Sequence, residues 1–172
     1  SGIPLILFSG GEPLLRHDLW ELARHARDRG IRTALSTNGT LIDTEIAGKI
    51  RESGIGYVGI SLDGATAATH DRFRGTPGAF DLSIAAFSHC LDSGVRCGVR
   101  VTLTRENAGE LGALIDLARR IGASRFCLYW LVPSGRGREG YARLQLGSQE
   151  VQDALDLLYR TAKETAPGAM EF

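Results

Sequence analysis

Ser9-Gly10-Gly11-Glu12 directly follows the apolar run Ile3–Phe8. Paired glycines let the backbone come close to a ligand and adopt positive φ. The Glu12 carboxylate would repel a phosphate, and no Gly-Lys-Ser/Thr follows, so the segment is not a P-loop. A carboxylate held there suits a cationic partner such as an amino group. Ser36 and Asn38, in Ser36-Thr37-Asn38-Gly39, offer a hydroxyl and an amide to a polar ligand such as a ribose. Ser61 and Asp63 repeat the arrangement one strand along. In His70-Asp71-Arg72-Phe73-Arg74, either Arg74 or Arg72 brings the planar guanidinium suited to clamping a carboxylate. His70 beside Asp71 has the makings of an acid–base pair, but its neighbours fit a helix-capping role better. Arg136 and Arg138, in Gly135-Arg136-Gly137-Arg138, form a basic loop able to meet an anionic, carboxylate-bearing substrate. The plainer alternative holds for each motif: loops between strand and helix use Gly, Asn and Asp for tight turns, and an Arg-rich loop is well solvated.

Other chemistries find no support. Cys90, Cys97 and Cys127 contain no C-x-x-C spacing, so zinc or iron–sulfur ligation within the chain is not expected, and the thiols read as small buried hydrophobes. Ser9, Ser36 and Ser61 lack a G-x-S-x-G context, and the scattered histidines offer no triad.

The elements that position these residues alternate. Short apolar runs at Ile3–Phe8, Ile31–Leu35, Tyr57–Leu62, Arg96–Thr104 and Arg125–Val132 read as strands. Between them lie helical stripes, over 17–29, after Asp43 as cap, from Thr76-Pro77 onward, over 111–121, and after Ser148 as cap. The span 65–78 reads as an irregular connection, and 133–147 as the one stretch suited to disorder. Strand–helix alternation, five times over, predicts an α/β fold with a parallel sheet. Every strand then ends in small or polar residues, at the edge where parallel α/β folds bind ligands.

Composition agrees. The chain has 172 residues, 43% of them hydrophobic and 23% charged, which suits a packed core and excludes disorder for most of its length. A formal net charge of +0 removes any bulk electrostatic case for nucleic acid or a membrane surface. No apolar run approaches the ~18 residues of a membrane span, and no signal peptide is evident. The sparse cysteines point to a reducing cytoplasm. The start at Ser1 without Met, directly before a strand, reads as that of an internal fragment.

In combination and in this order, FSGGEPLLR, LSTNGTLI, GISLDG and HDRFRGTPGAFD resemble the radical S-adenosylmethionine enzymes, in the group with a C-terminal auxiliary-cluster (SPASM) domain. The resemblance covers essentially the whole chain. It implies a partial (β/α)6 TIM-like barrel, of which residues 1–140 are strands two to six, with 141–172 a helical extension. It implies S-adenosylmethionine and a 4Fe-4S cluster as cofactors, an electron donor such as flavodoxin or ferredoxin, and a 5′-deoxyadenosyl radical that abstracts a substrate hydrogen. By resemblance Gly10, Gly11 and Glu12 meet the methionyl end of the cofactor. Ser36, Asn38, Ser61 and Asp63 face its ribose and carboxylate region, and Arg74 pairs with the carboxylate. Thr102 faces the cavity, and Leu131 or Val132 flanks the adenine. The family's CxxxCxxC cluster motif does not occur in the 172 residues, so the chain by itself is expected to be inactive. FCLYWLVPSGRG is most similar to the enzymes of haem d1 and alternative haem biosynthesis, whose carboxylate-rich tetrapyrroles would give Arg136 and Arg138 a purpose. Peptide-modifying maturases share the other motifs, and a binding module that has lost its cluster is the non-catalytic alternative.

Overall fold

The computed structural model describes residues 2–133, 138, 140–166 and 168–172. Five strands, β1 (Leu5–Phe8), β2 (Arg32–Thr37), β3 (Ile55–Ser61), β4 (Cys97–Leu103) and β5 (Phe126–Trp130), form one sheet in the order β1-β2-β3-β4-β5. All neighbours are parallel, with Phe8 opposite Leu35, Thr37 opposite Ile60, Ser61 opposite Arg100 and Leu103 opposite Trp130. The sheet curls into a half-barrel with helices packed outside it, the partial TIM-like barrel expected. Seven α-helices occur among the described residues: α1 (Leu19–Asp28), α2 (Thr44–Ser53), α3 (Ala67–Arg74), α4 (Ala79–Asp92), α5 (Leu111–Arg120), α6 (Tyr141–Leu144) and α7 (Ser148–Glu164).

Period-two alternation within the strands sets the faces. Val58, Ile60, Val99, Val101 and Leu103 are buried against Phe87, Leu114 and Ile115 of the outer helices. The alternate positions Gly59, Ser61, Gly98, Arg100 and Thr102 therefore line the concave side. Ala154 of α7 and Met170 join the same core, and Glu171 makes a parallel bridge to Arg125 at the outer edge of β5.

Several boundaries depart from the sequence expectation. The span 65–78 is not irregular, because it contains α3. Its buried positions are the polar Thr69 and His70, so no apolar stripe betrays it. Helix α4 starts after Gly78 rather than at Pro77. The Asp71 carboxylate reaches across to accept from the Gly78 and Phe80 amides (2.6 and 2.8 Å) and so fixes the helix start. Gly147, not Ser148, caps α7, and the Glu150 carboxylate accepts from the Gly147 amide at 2.6 Å. Residues 141–144, within the stretch assigned to disorder, form a helical turn. Asp43 caps α2 as expected, its Oδ1 2.8 Å from the Ile46 amide.

Candidate active site

The C-terminal ends of β1 and β2 are tied together by one carboxylate. Glu12 Oε1 accepts from the Thr37 hydroxyl (2.7 Å) and the Leu14 amide (3.2 Å), and Oε2 from the Asn38 amide (2.9 Å). All three partners donate, so the carboxylate serves only as an acceptor. The tie holds Gly10 and Gly11 at the sheet edge. Gly10 has φ +142, and a Cβ at either glycine would meet nothing within 4 Å. The loop backbone is thus open to a ligand. Asn38 caps its own turn, Oδ1 accepting from the Thr40 amide and hydroxyl (both 2.8 Å). Ser36 and Ser61, both half-buried, lie on the concave face next to this loop.

Asp63 requires a correction. Its side chain is fully buried, so it does not face a ligand. Oδ1 accepts from the Thr102 amide at 2.7 Å, and Oδ2 is ion-paired with the Arg74 guanidinium. Burial pushes the Asp63 carboxyl up, against the pull of the Arg74 charge and the Thr102 amide. Asp63 instead positions Arg74 at the rim. Arg74 keeps donors to spare, since its Nε is buried without a partner. Arg72 is exposed, which separates the two candidate arginines.

His70 does not cap a helix; Thr66 caps α3. The imidazole is 1% exposed, and its Nδ1 accepts from the Asp63 amide at 3.0 Å. That acceptor role requires a neutral ring, and burial, helped by the Arg74 charge, lowers its pKa to about 4. Two further positioning residues escaped the sequence reading. Asn107, 1% exposed, donates from Nδ2 to the carbonyls of Asp63 (2.9 Å) and Thr102 (3.0 Å), binding the ends of β3 and β4. Glu110 accepts from the Ala65 amide (2.7 Å) and the Thr69 hydroxyl. A polar residue just beyond a strand is the only signal either gives, and in the sequence it is indistinguishable from a solvated turn.

The structure therefore brings together Gly10, Gly11, Glu12 and Asn38, and sets Ser36, Ser61, Thr102 and Arg74 along the same edge. Leu131 lies in a small cleft with Leu103, Tyr141 and Leu146, and Val132 is 63% exposed. Arg138 is exposed, and Arg136 lies outside the described residues.

The open glycine loop, the edge hydroxyls and the spare donors of Arg74 fit an amino-acid-bearing nucleoside. The cysteines do not fit a cluster. Cys90 and Cys97 are buried, and the neighbouring Cys90 thiol together with burial drives the Cys97 thiol up. Among the described residues no group of three His, Cys, Asp or Glu side chains is placed to hold a metal. No described helix is long and apolar enough to cross a membrane.

Residues 1–118 match the Radical SAM superfamily. The chain is 46% identical over 163 residues to the Fe-coproporphyrin III synthase of Methanosarcina barkeri, covering 94% of this chain and 40% of that protein. It is 38% identical over 165 residues to the AdoMet-dependent heme synthase of Nitratidesulfovibrio vulgaris, covering 96% and 45%. The chain thus spans less than half the length of these relatives. Streptococcus suis SuiB bound to S-adenosylmethionine has the same fold, with a TM-score of 0.76 at 17% identity, covering 98% of this chain and 38% of that one.

Proposed function

Because the chain belongs to the radical S-adenosylmethionine superfamily, we propose that it is the cofactor-binding barrel of an enzyme acting on a carboxylate-rich tetrapyrrole in haem or haem d1 biosynthesis. The observation that carries this reading is the 46% identity to an Fe-coproporphyrin III synthase across nearly the whole chain. What S-adenosylmethionine supplies in this family is a 5′-deoxyadenosyl radical for hydrogen abstraction. The residues of this chain bind and orient it. The Gly10-Gly11 backbone and Glu12 receive the methionyl amino end. The one acceptor position left on the Glu12 carboxylate, after three hydrogen bonds, suits an ammonium group. Arg74, steadied by Asp63, takes the methionyl carboxylate, and Ser36, Asn38 and Ser61 the polar edge of the cofactor. Thr102 faces the cavity, Leu131 or Val132 covers the adenine, and Arg136 and Arg138 meet substrate carboxylates. The reading requires CxxxCxxC cysteines, an electron donor such as flavodoxin or ferredoxin, and a cytoplasmic setting, all from outside these residues.

The test is made on the full-length polypeptide with its cluster in place. Tetrapyrrole-dependent release of 5′-deoxyadenosine is expected, and Glu12→Ala is expected to weaken S-adenosylmethionine binding at least about tenfold, the effect of losing one charge-assisted contact. Unchanged cofactor affinity in that variant sinks the cofactor assignment. Turnover with a small peptide but no tetrapyrrole sinks the substrate assignment.

A further inference from the structure

The concave face carries a cation that the cofactor site does not use. Arg100 of β4 is half-buried, with its guanidinium carbon 4.2 Å from the centre of the Tyr129 ring. Its stem lies on Gly59, where a Cβ would stand 2.5 Å from Cδ and 3.1 Å from Cγ. Gly59 pairs in register with Gly98, and a Cβ at Gly98 would run into the Tyr57 hydroxyl. Two glycines facing each other across β3 and β4 thus clear a floor for the Arg100 stem and the Tyr57 ring. Any larger residue at either place would displace them.

Among the described residues Arg100 makes no hydrogen bond and no ion pair, whereas Arg74 and Arg125 both face a carboxylate. The Tyr57 hydroxyl is buried and also without a partner among the described residues. Burial pushes its acidity well away from neutral pH, so it remains an O–H donor. A guanidinium stacked on an aromatic ring and lacking a counter-ion, with an idle donor near it, forms one half of an anion site. Ser61 is the register partner of Arg100, which sets this cation one strand width from the cofactor edge and below Thr102 on its own strand.

We propose that Arg100, braced by Gly59 and stacked on Tyr129, binds a carboxylate of the substrate inside the barrel. The proposal rests on the tetrapyrrole reading above, and it assigns one of that substrate's acidic side chains to a fixed place on β4.

The experiment uses the full-length, cluster-loaded protein. Fe-coproporphyrin III, the carboxylate-bearing tetrapyrrole in the relative's name and here the probe for the substrate's acidic side chains, and its tetramethyl ester are titrated by visible absorption, and S-adenosylmethionine by calorimetry. Wild type is expected to bind the acid better than the ester. Arg100→Gln is expected to weaken binding of the acid by about ten- to hundredfold, the range for hydrogen bonds to a charged group, and to leave the ester and S-adenosylmethionine unaffected. Arg100→Met keeps an apolar stem on Gly59 and should match Arg100→Gln, which separates a lost charge from a lost fold. Equal acid affinity in wild type and Arg100→Gln overturns the role of Arg100 while leaving the substrate reading intact. A loss confined to S-adenosylmethionine moves Arg100 to the cofactor and overturns the proposal as well. Wild type that binds neither tetrapyrrole overturns the substrate reading itself.

Discussion

His70 shows how a residue with the look of catalysis is spent on architecture. Its ring must stay neutral to accept from the Asp63 amide, and its folded pKa is about 4 against an ordinary value of 6.5. The unfolded chain takes up this proton near pH 6.5 and the folded chain only near 4. The contribution to stability is complete above pH 6.5 and falls as pH drops from there to about 4, by up to about 3 kcal/mol. Urea denaturation at pH 7 and at pH 4.5 should show this loss, and His70→Asn, which keeps an acceptor without the titration, should flatten that part of the curve. Asp63 belongs with His70. Its carboxylate is visible in the sequence, but only the fold reveals that it is buried against Thr102 and Arg74. Arg100 fails in the opposite sense. In Cys97–Leu103 it is one of the polar positions alternating with Val99 and Val101, and period two gives a side but not what lies on it.

At the scale of elements, what was legible in the sequence was what repeats. Apolar runs ended by small or polar residues located all five strands, because the side of each strand turned to the outer helices must be apolar. Helix α3 was not legible, since it is held by Thr69, His70, Asp71 and Arg74 rather than by an apolar face. Its seating depends on Gly64. A Cβ there would run into the His70 amide nitrogen and stand 2.8 Å from the Thr69 Cβ, so the helix backbone itself must move. Gly64→Ala is expected to cost about 2–3 kcal/mol. Gly112, exposed in α5 with open space around it, makes the contrast, and Gly112→Ala should stabilise by about 0.5–1 kcal/mol. Urea midpoints at constant slope would check both signs.

At the scale of the whole molecule, β1 is an edge strand with Leu5 and Leu7 48% and 45% exposed. An apolar edge with unpaired backbone groups is a template for association. The 172-residue chain alone is expected to self-associate with rising concentration, and Leu7→Lys to reduce this, as read by light scattering. Incubated with iron and sulfide, the same chain should acquire no cluster absorption, since its three cysteines lie apart or in the core. Retention of a stable brown chromophore would contradict that. The Glu12 tie has a consequence at this scale too. One carboxylate fastens the ligand-facing loop and also locks the edge strand to its neighbour, so a ligand that orders residues 9–12 must also slow the opening of β1. Amide hydrogen exchange at the β2 amides paired with β1 then becomes a gauge of cofactor occupancy, readable without any turnover.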